Sequence, residues 1–257
     1  MRRTAGVALI GIASAVFGPA FAVGAQRPDV RPSIGADAVV FRVSDVSALR
    51  LFLRDRDGKN YGSPEAVKSA VTSSGHKLVF AMNAGMYEAD RTPTGLFVEN
   101  GKQLVPHNVQ ARSQDKHTPN FYLNPNGVFS IGSSGVAILS TFDFAKSPPE
   151  RVRLATQSGP LLLAGGAIVS RAVATGSDSP QLRNRRNGIC LHGKTVLLVE
   201  ADAMTLHQFA VYLRDELGCL DALYMDGGIS SVYDARNGRS DHVSAQNPLG
   251  PIIAYVE

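Results

Sequence analysis

The 257-residue chain has no tryptophan, only two cysteines, and just 7% aromatic residues. Single-stranded nucleic acid is gripped largely by stacking on aromatic side chains, so this shortage disfavours that class of partner. Charge of one sign is also lacking: 26 Lys and Arg stand against 22 Asp and Glu. No basic stripe is present to neutralise a row of phosphates, and no nucleic-acid partner is expected. Beyond the N-terminal segment, no continuous apolar run reaches the roughly 20 residues of a membrane-spanning helix. Catalytic signatures are missing too. There is no His-x-x-x-His pair, neither cysteine has a Cys-x-x-Cys partner, and Gln157-Ser158-Gly159 lacks the preceding glycine of a nucleophile elbow. No dinucleotide glycine pattern occurs. No metal site and no cofactor are expected.

What is present describes a packed protein that works outside the cytosol. Hydrophobic residues make up 44% and charged residues 19%, the balance of a globular chain. Arg2 and Arg3 precede an uncharged apolar stretch from Ala5 to Phe17, followed by small residues at Ala20-Phe21-Ala22 and Val23-Gly24-Ala25. This is the layout of a cleaved secretory signal over residues 1–25. Cleavage after Ala25 removes two positive charges and leaves a net charge of +2. Residues 26–37 read as a loose polar leader, and residues 38–257 as one domain. A periplasmic or secreted protein follows, with no membrane span once mature. No sequence pattern specifies an oligomeric state. In an oxidising compartment Cys190 and Cys219 are compatible with a disulfide and equally with two buried thiols.

Within the domain, strand patterns outnumber helical ones. Val39 to Val43 is one strand, and Leu49, Leu51 and Leu53 alternate with more polar neighbours in a second. Ser63-Pro64-Glu65 opens a helix that Gly75 closes, and residues 77–82 form a buried strand. Asn100-Gly101 and Asn126-Gly127 are hairpin signals, and His192-Gly193-Lys194 is a tight hairpin between apolar runs. Leu161 to Leu163 and Ala222 to Met225 are further buried strands. Thr205, with Gln208 three residues on, caps a helix whose apolar face runs through Leu206, Phe209, Ala210, Leu213 and Leu217 to Gly218. The class is α+β: a single domain of mixed or antiparallel sheets with a few helices packed on them.

Four segments place polar or glycine-rich residues where buried strands begin or end. They are Phe80 to Glu88, Thr156 to Pro160, Arg183 to Ile189, and Tyr224 to Ser231. Glycines at strand ends let backbone N–H groups approach a ligand, and arginines bind anions through a planar fork. Each has a plainer explanation. Asn83 could close a turn on itself, the arginines could form a solvated face, and Asp226-Gly227 could be a hairpin turn. Taken singly, none separates function from structure.

Taken in order, the chain resembles the phosphodiester glycosidase family, in particular its exported bacterial branch. The resemblance is carried by Asn83-Ala84-Gly85-Met86-Tyr87, Thr94 to Val98 with Asn100-Gly101, Asn120-Phe121-Tyr122, Gln157-Ser158-Gly159-Pro160, Arg186-Asn187-Gly188-Ile189 and Ala222 to Ser231. Two positions depart from it: Cys190 follows Ile189 where relatives often carry glycine, and Ile229 stands where animal relatives tend to have another. The resemblance implies an α+β fold and hydrolysis of a sugar-1-phosphodiester, from an envelope or secreted glycan, at the anomeric carbon.

On that reading Asp226 is the carboxylate that acts as nucleophile or as base for water, and Arg186 clamps the phosphate. Asn83 holds sugar hydroxyls or a phosphate oxygen. Gln157, Ser158, Gly159, Arg183, Arg185, Gly227, Gly228, Ser230 and Glu88 complete the binding surface, with Glu88 and Glu200 as candidate second carboxylates. Two rivals use the same residues differently. One is a non-catalytic glycan-binding protein of the envelope. The other is a phosphodiesterase that breaks the P–O bond with a metal held by Asp226, Asp202 and Glu200.

Overall fold

The computed structural model describes Met1 and residues 37–110, 117–176 and 180–257. The expected signal and nearly all of the expected leader therefore lie outside the described residues.

Three antiparallel sheets carry the fold. The first holds six strands in the order Ala38–Arg42, Thr195–Met204, Asn184–His192, Asp221–Tyr224, Leu161–Ala164 and Ala167–Ile168. In the second, five strands run Arg239–Ser240, Val232–Asp234, Leu78–Asn83, Ile252–Val256 and Leu49–Phe52. The third also has five: Lys102–Val105, Phe97–Glu99, Leu154–Ser158, Gly127–Gly132 and Gly135–Ser140. All three contribute to one apolar core, where Leu198 and Leu223 of the first sheet meet Phe80 and Ile253 of the second and Phe97 and Phe129 of the third. Removing each such side chain from water contributes about 1.5–3 kcal/mol.

Strand periodicity explains where the helices sit. In Thr195–Met204, Val196 and Leu198 face the shared core, while Leu197 and Val199 face the other way, against Phe209, Ala210 and Leu213. The helix Leu206–Val211 has both halves of its capping box: the Thr205 side chain accepts from Gln208 N, and the Gln208 side chain accepts from Thr205 N. A π-turn, Tyr212–Glu216, extends it to Gly218 at φ 66°. The helix Pro64–Ser73 is capped by Ser63 and lays Val67 and Val71 on the outer face of the second sheet. Cys190 and Cys219 form a disulfide with Cα atoms 5.9 Å apart, which resolves the choice that the sequence left open.

Asn126-Gly127 is not a hairpin turn. Gly127 begins a strand lying between those of Ser140 and Ser158. A Cβ there would stand 2.9 Å from the Leu139 carbonyl, so close backbone approach, not a turn, accounts for the glycine. The spacing Gly188-x4-Gly193-Lys194-Thr195 matches that of a phosphate-binding loop. It is instead the hairpin joining Asn184–His192 to Thr195–Met204, with no helix following directly.

One crossing positions the site. The segment Met225–Ser231 leaves Asp221–Tyr224 in the first sheet and enters Val232–Asp234 in the second, beside the end of Leu78–Asn83. Asp226-Gly227 is therefore no hairpin turn either.

Candidate active site

Asp226 sits at the start of that crossing and caps a short 3-10 turn, Gly227–Ile229. Burial pushes its carboxyl up to about 6, because a low-dielectric surrounding penalises the charged form. Among the described residues, no side chain or backbone N–H is bonded to that carboxylate. The crossing itself is held firmly. Asn83, 1% exposed, donates its side-chain amide to the Asp226 carbonyl and accepts from Ser231 N at 3.2 Å. Gly227 packs so closely that a Cβ would meet the Tyr224 hydroxyl at 2.4 Å and the Arg185 carbonyl at 2.8 Å.

Arg186 lies on the neighbouring strand, nearly buried. Its Nε donates to the Met204 carbonyl at 2.9 Å, Nη2 to the Leu182 carbonyl at 2.7 Å, and Nη1 to the Tyr224 hydroxyl at 3.2 Å. Five N–H groups minus these three leaves two without an acceptor among the described residues. No carboxylate pairs with Arg186 among the described residues. Tyr224 couples the two charges: burial pushes its hydroxyl up, Arg186 works against that, and Asp226 adds to it. Tyr87 feels the charge of the same carboxylate. Burial and then the Asp226 charge push its hydroxyl up to about 12, against the pull of Arg91.

The site thus has an unpaired carboxylate and an unpaired guanidinium on either side of a buried tyrosine, at a junction of sheets. A family model described as phosphodiester glycosidase matches residues 76–254. The chain belongs to the phosphodiester glycosidase family. It is 32% identical over 185 residues to the uncharacterized protein YigE of Escherichia coli (strain K12), covering 72% of this chain and 69% of that protein. The fold is similar to the catalytic domain of zebrafish N-acetylglucosamine-1-phosphodiester alpha-N-acetylglucosaminidase, auto-inhibited by its pro-peptide. That match has a TM-score of 0.53 at 14% identity and covers 90% of this chain and 85% of the other. A hypothetical protein from Synechocystis gives a TM-score of 0.51 at 15% identity, covering 88% of this chain and 60% of its own. At such identities these structures speak for the fold.

In this member of the family the other sequence-predicted residues divide sharply. Gln157 is spent inside the protein: its Oε1 accepts from Leu96 N and Asn108 N, and its Nε2 donates to the Asn108 carbonyl and Thr141 Oγ1. Gly159 packs against the Phe121 carbonyl, 2.6 Å from where a Cβ would stand. Ser158 and Ser230 are buried with hydroxyls that have no partner. Arg185 is engaged by Asp202, at 2.8 and 3.4 Å, and by the Ser230 carbonyl and Asp241. Arg183, Gly228 and Glu88 are exposed. Glu200 is buried and paired with Arg239. Asp202 and Glu200 thus go to different arginines instead of gathering with Asp226 around a cation, and among the described residues no three His, Cys, Asp or Glu side chains form such a group.

Asn83 likewise spends its amide on the crossing, which makes it a positioning residue for Asp226. Sequence reasoning missed Tyr224 and Tyr87 as members of the site. Tyr224 had a signal: it is the last residue of the strand that leads into Asp226. Two surface clefts of about 520 and 460 Å³ lie elsewhere, one beside Arg50 and His76, the other beside Phe142 and Arg171.

Proposed function

We propose that this domain hydrolyses a sugar-1-phosphodiester of an envelope or secreted glycan, breaking the bond between the anomeric carbon and the phosphate oxygen. The observation that carries this reading is the pair Asp226 and Arg186, a half-buried carboxylate and a buried guanidinium that do not pair with each other. Burying either charge alone is costly. A substrate with an electron-poor carbon and an adjoining phosphate supplies a complement to both.

In the reaction Asp226 either adds to the anomeric carbon or takes a proton from the water that does. The phosphate monoester departs with the bonding electron pair, and the oxygen of water ends on the sugar. Phosphate is already a good leaving group, so the two N–H groups left on Arg186 stabilise its charge without a second carboxylate acting as acid. This fits the positions of Glu88, exposed, and Glu200, turned to Arg239. The Asp226 carboxyl near 6 is largely ionised at pH 7, as a nucleophile or base must be. Export is part of the same proposal, and the Cys190–Cys219 disulfide supports it.

Substitution tests the two roles separately. Asp226→Asn is expected to abolish turnover with the fold intact. Arg186→Lys keeps the charge and loses the fork, so kcat/KM should fall on the order of 10²-fold or more. Near-native rates in either variant would contradict the assignment.

A further inference from the structure

Glu200 lies in the strand Thr195–Met204, only 2% exposed, opposite Asn187 on one side and Val39 on the other. Its Oε1 accepts from Arg239 Nη2 at 2.5 Å. Its Oε2 has no partner, and neither does Asn187 Oδ1. Directly opposed residues of an antiparallel pair project to one face with Cβ atoms about 5 Å apart. The two orphaned oxygens therefore belong to neighbouring side chains, and both are acceptors. A single proton between them would satisfy both.

The surrounding charges are largely spent on one another. Arg239 already holds both oxygens of Asp241, at 2.8 and 2.7 Å. Arg185 holds both oxygens of Asp202 and reaches Asp241 at 3.4 Å. Two guanidiniums thus serve three carboxylates, and Arg239 reaches only one oxygen of Glu200, leaving Oε2 buried without a donor. Burial pushes its carboxyl up; Arg239 and Arg185 oppose this, and Asp241 reinforces it.

We propose that Glu200 is a positioning residue held in its protonated form, with Oε2–H donating to Asn187 Oδ1. The bond fixes which end of the Asn187 amide points where. Asn187 Nδ2 then donates to the Asn83 carbonyl at 3.1 Å, and the Asn83 side chain holds the Asp226 carbonyl and Ser231 N. A turned amide would set two oxygens against each other at Asn83. From the far side of the same network, Arg185 holds the Ser230 carbonyl and Asp241 holds Val232 N. The importance of this positioning rests on Asp226 being the reacting carboxylate; the protonation of Glu200 does not.

The test is the carboxyl ¹³C resonance of Glu200 in glutamate-labelled protein, followed from pH 5 to 8. A resonance at the protonated position at pH 7, absent from Glu200→Gln, is the expected result. Glu99, whose carboxyl burial pushes up to about 7, gives a second shifted resonance that persists in that variant. Glutamine reproduces both the donor and the acceptor of a protonated glutamate. Glu200→Gln should therefore keep the parent's melting temperature and turnover, whereas Glu200→Leu should lower both. An ionised Glu200 at pH 7, or a Gln variant that unfolds or fails as the Leu variant does, overturns the proposal. The resonance is read without substrate, so absence of phosphodiester hydrolysis would count against the role of Asp226 and leave this measurement standing.

Discussion

The side-chain amide of Asn83, at the end of a strand in the second sheet, donates to the main-chain carbonyl of Asp226 on the segment leaving the first. The same side chain accepts from Ser231 N at 3.2 Å, so one amide ties both ends of the turn that carries the Asp226 carboxylate. Asn83→Ala would leave a partly buried carbonyl and a buried N–H without these partners. At roughly 1–3 kcal/mol for each such group, stability should drop by about 2–6 kcal/mol. Turnover should fall with it, because Asp226 is no longer held. A urea midpoint equal to that of the parent would show that the clamp contributes nothing.

Burial of Asp226 has a consequence for pH. Its carboxyl is raised from 3.8 to about 6 in the folded protein. Between those values the native state keeps a proton that the unfolded chain has lost, so this group's contribution to stability falls as pH rises through that window. Above it the cost is constant, on the order of 1–3 kcal/mol. Asp226→Asn removes the cost: the variant should be more stable than the parent at pH 7, with the gain vanishing toward pH 4. Urea unfolding of both proteins across pH 4–8 checks the sign. Activity should run the other way, kcat/KM rising through about pH 6 as the carboxylate forms. A variant less stable than the parent at pH 7 would mean that Asp226 has a stabilising partner.

Gly227 and Gly228 are adjacent and look alike in the sequence, yet their surroundings differ. A Cβ on Gly227 would lie 2.4 Å from the Tyr224 hydroxyl and 2.9 Å from Arg186 Cα; nothing lies within 4 Å of one on Gly228. Gly227→Ala must displace Tyr224 or Arg186 and should cost both stability and turnover. Gly228→Ala should stay within about 0.5 kcal/mol of the parent. Equal urea midpoints for the two variants would contradict this packing.

The contrast between those glycines shows which parts of the molecule were legible in its sequence. Local devices were: the Ser63 cap with Pro64, the Thr205–Gln208 capping box, the Gly193-Lys194 turn, and the alternation of Leu49, Leu51 and Leu53 each need only near neighbours along the chain. Asn126-Gly127 carried the same kind of signal and was misread, because its glycine answers to Leu139 across the sheet. Site residues fared according to where their partners lie. Gln157 reads as a polar strand end, but Leu96, Asn108 and Thr141 from three separate segments use up its amide. Arg185 and Arg186 are neighbours in sequence, yet one meets Asp202 and the other meets only neutral oxygens. Sheet pairing decides that difference.

The central claim is attack at carbon, and oxygen labelling tests it most directly. The mature protein would be given a panel of sugar-1-phosphodiesters in ¹⁸O-water, with and without chelator. The account predicts label in the released sugar, none in the phosphate monoester, and the same rate with chelator present. Label in the phosphate would mean that the P–O bond breaks, and would contradict the roles given to Asp226 and Arg186.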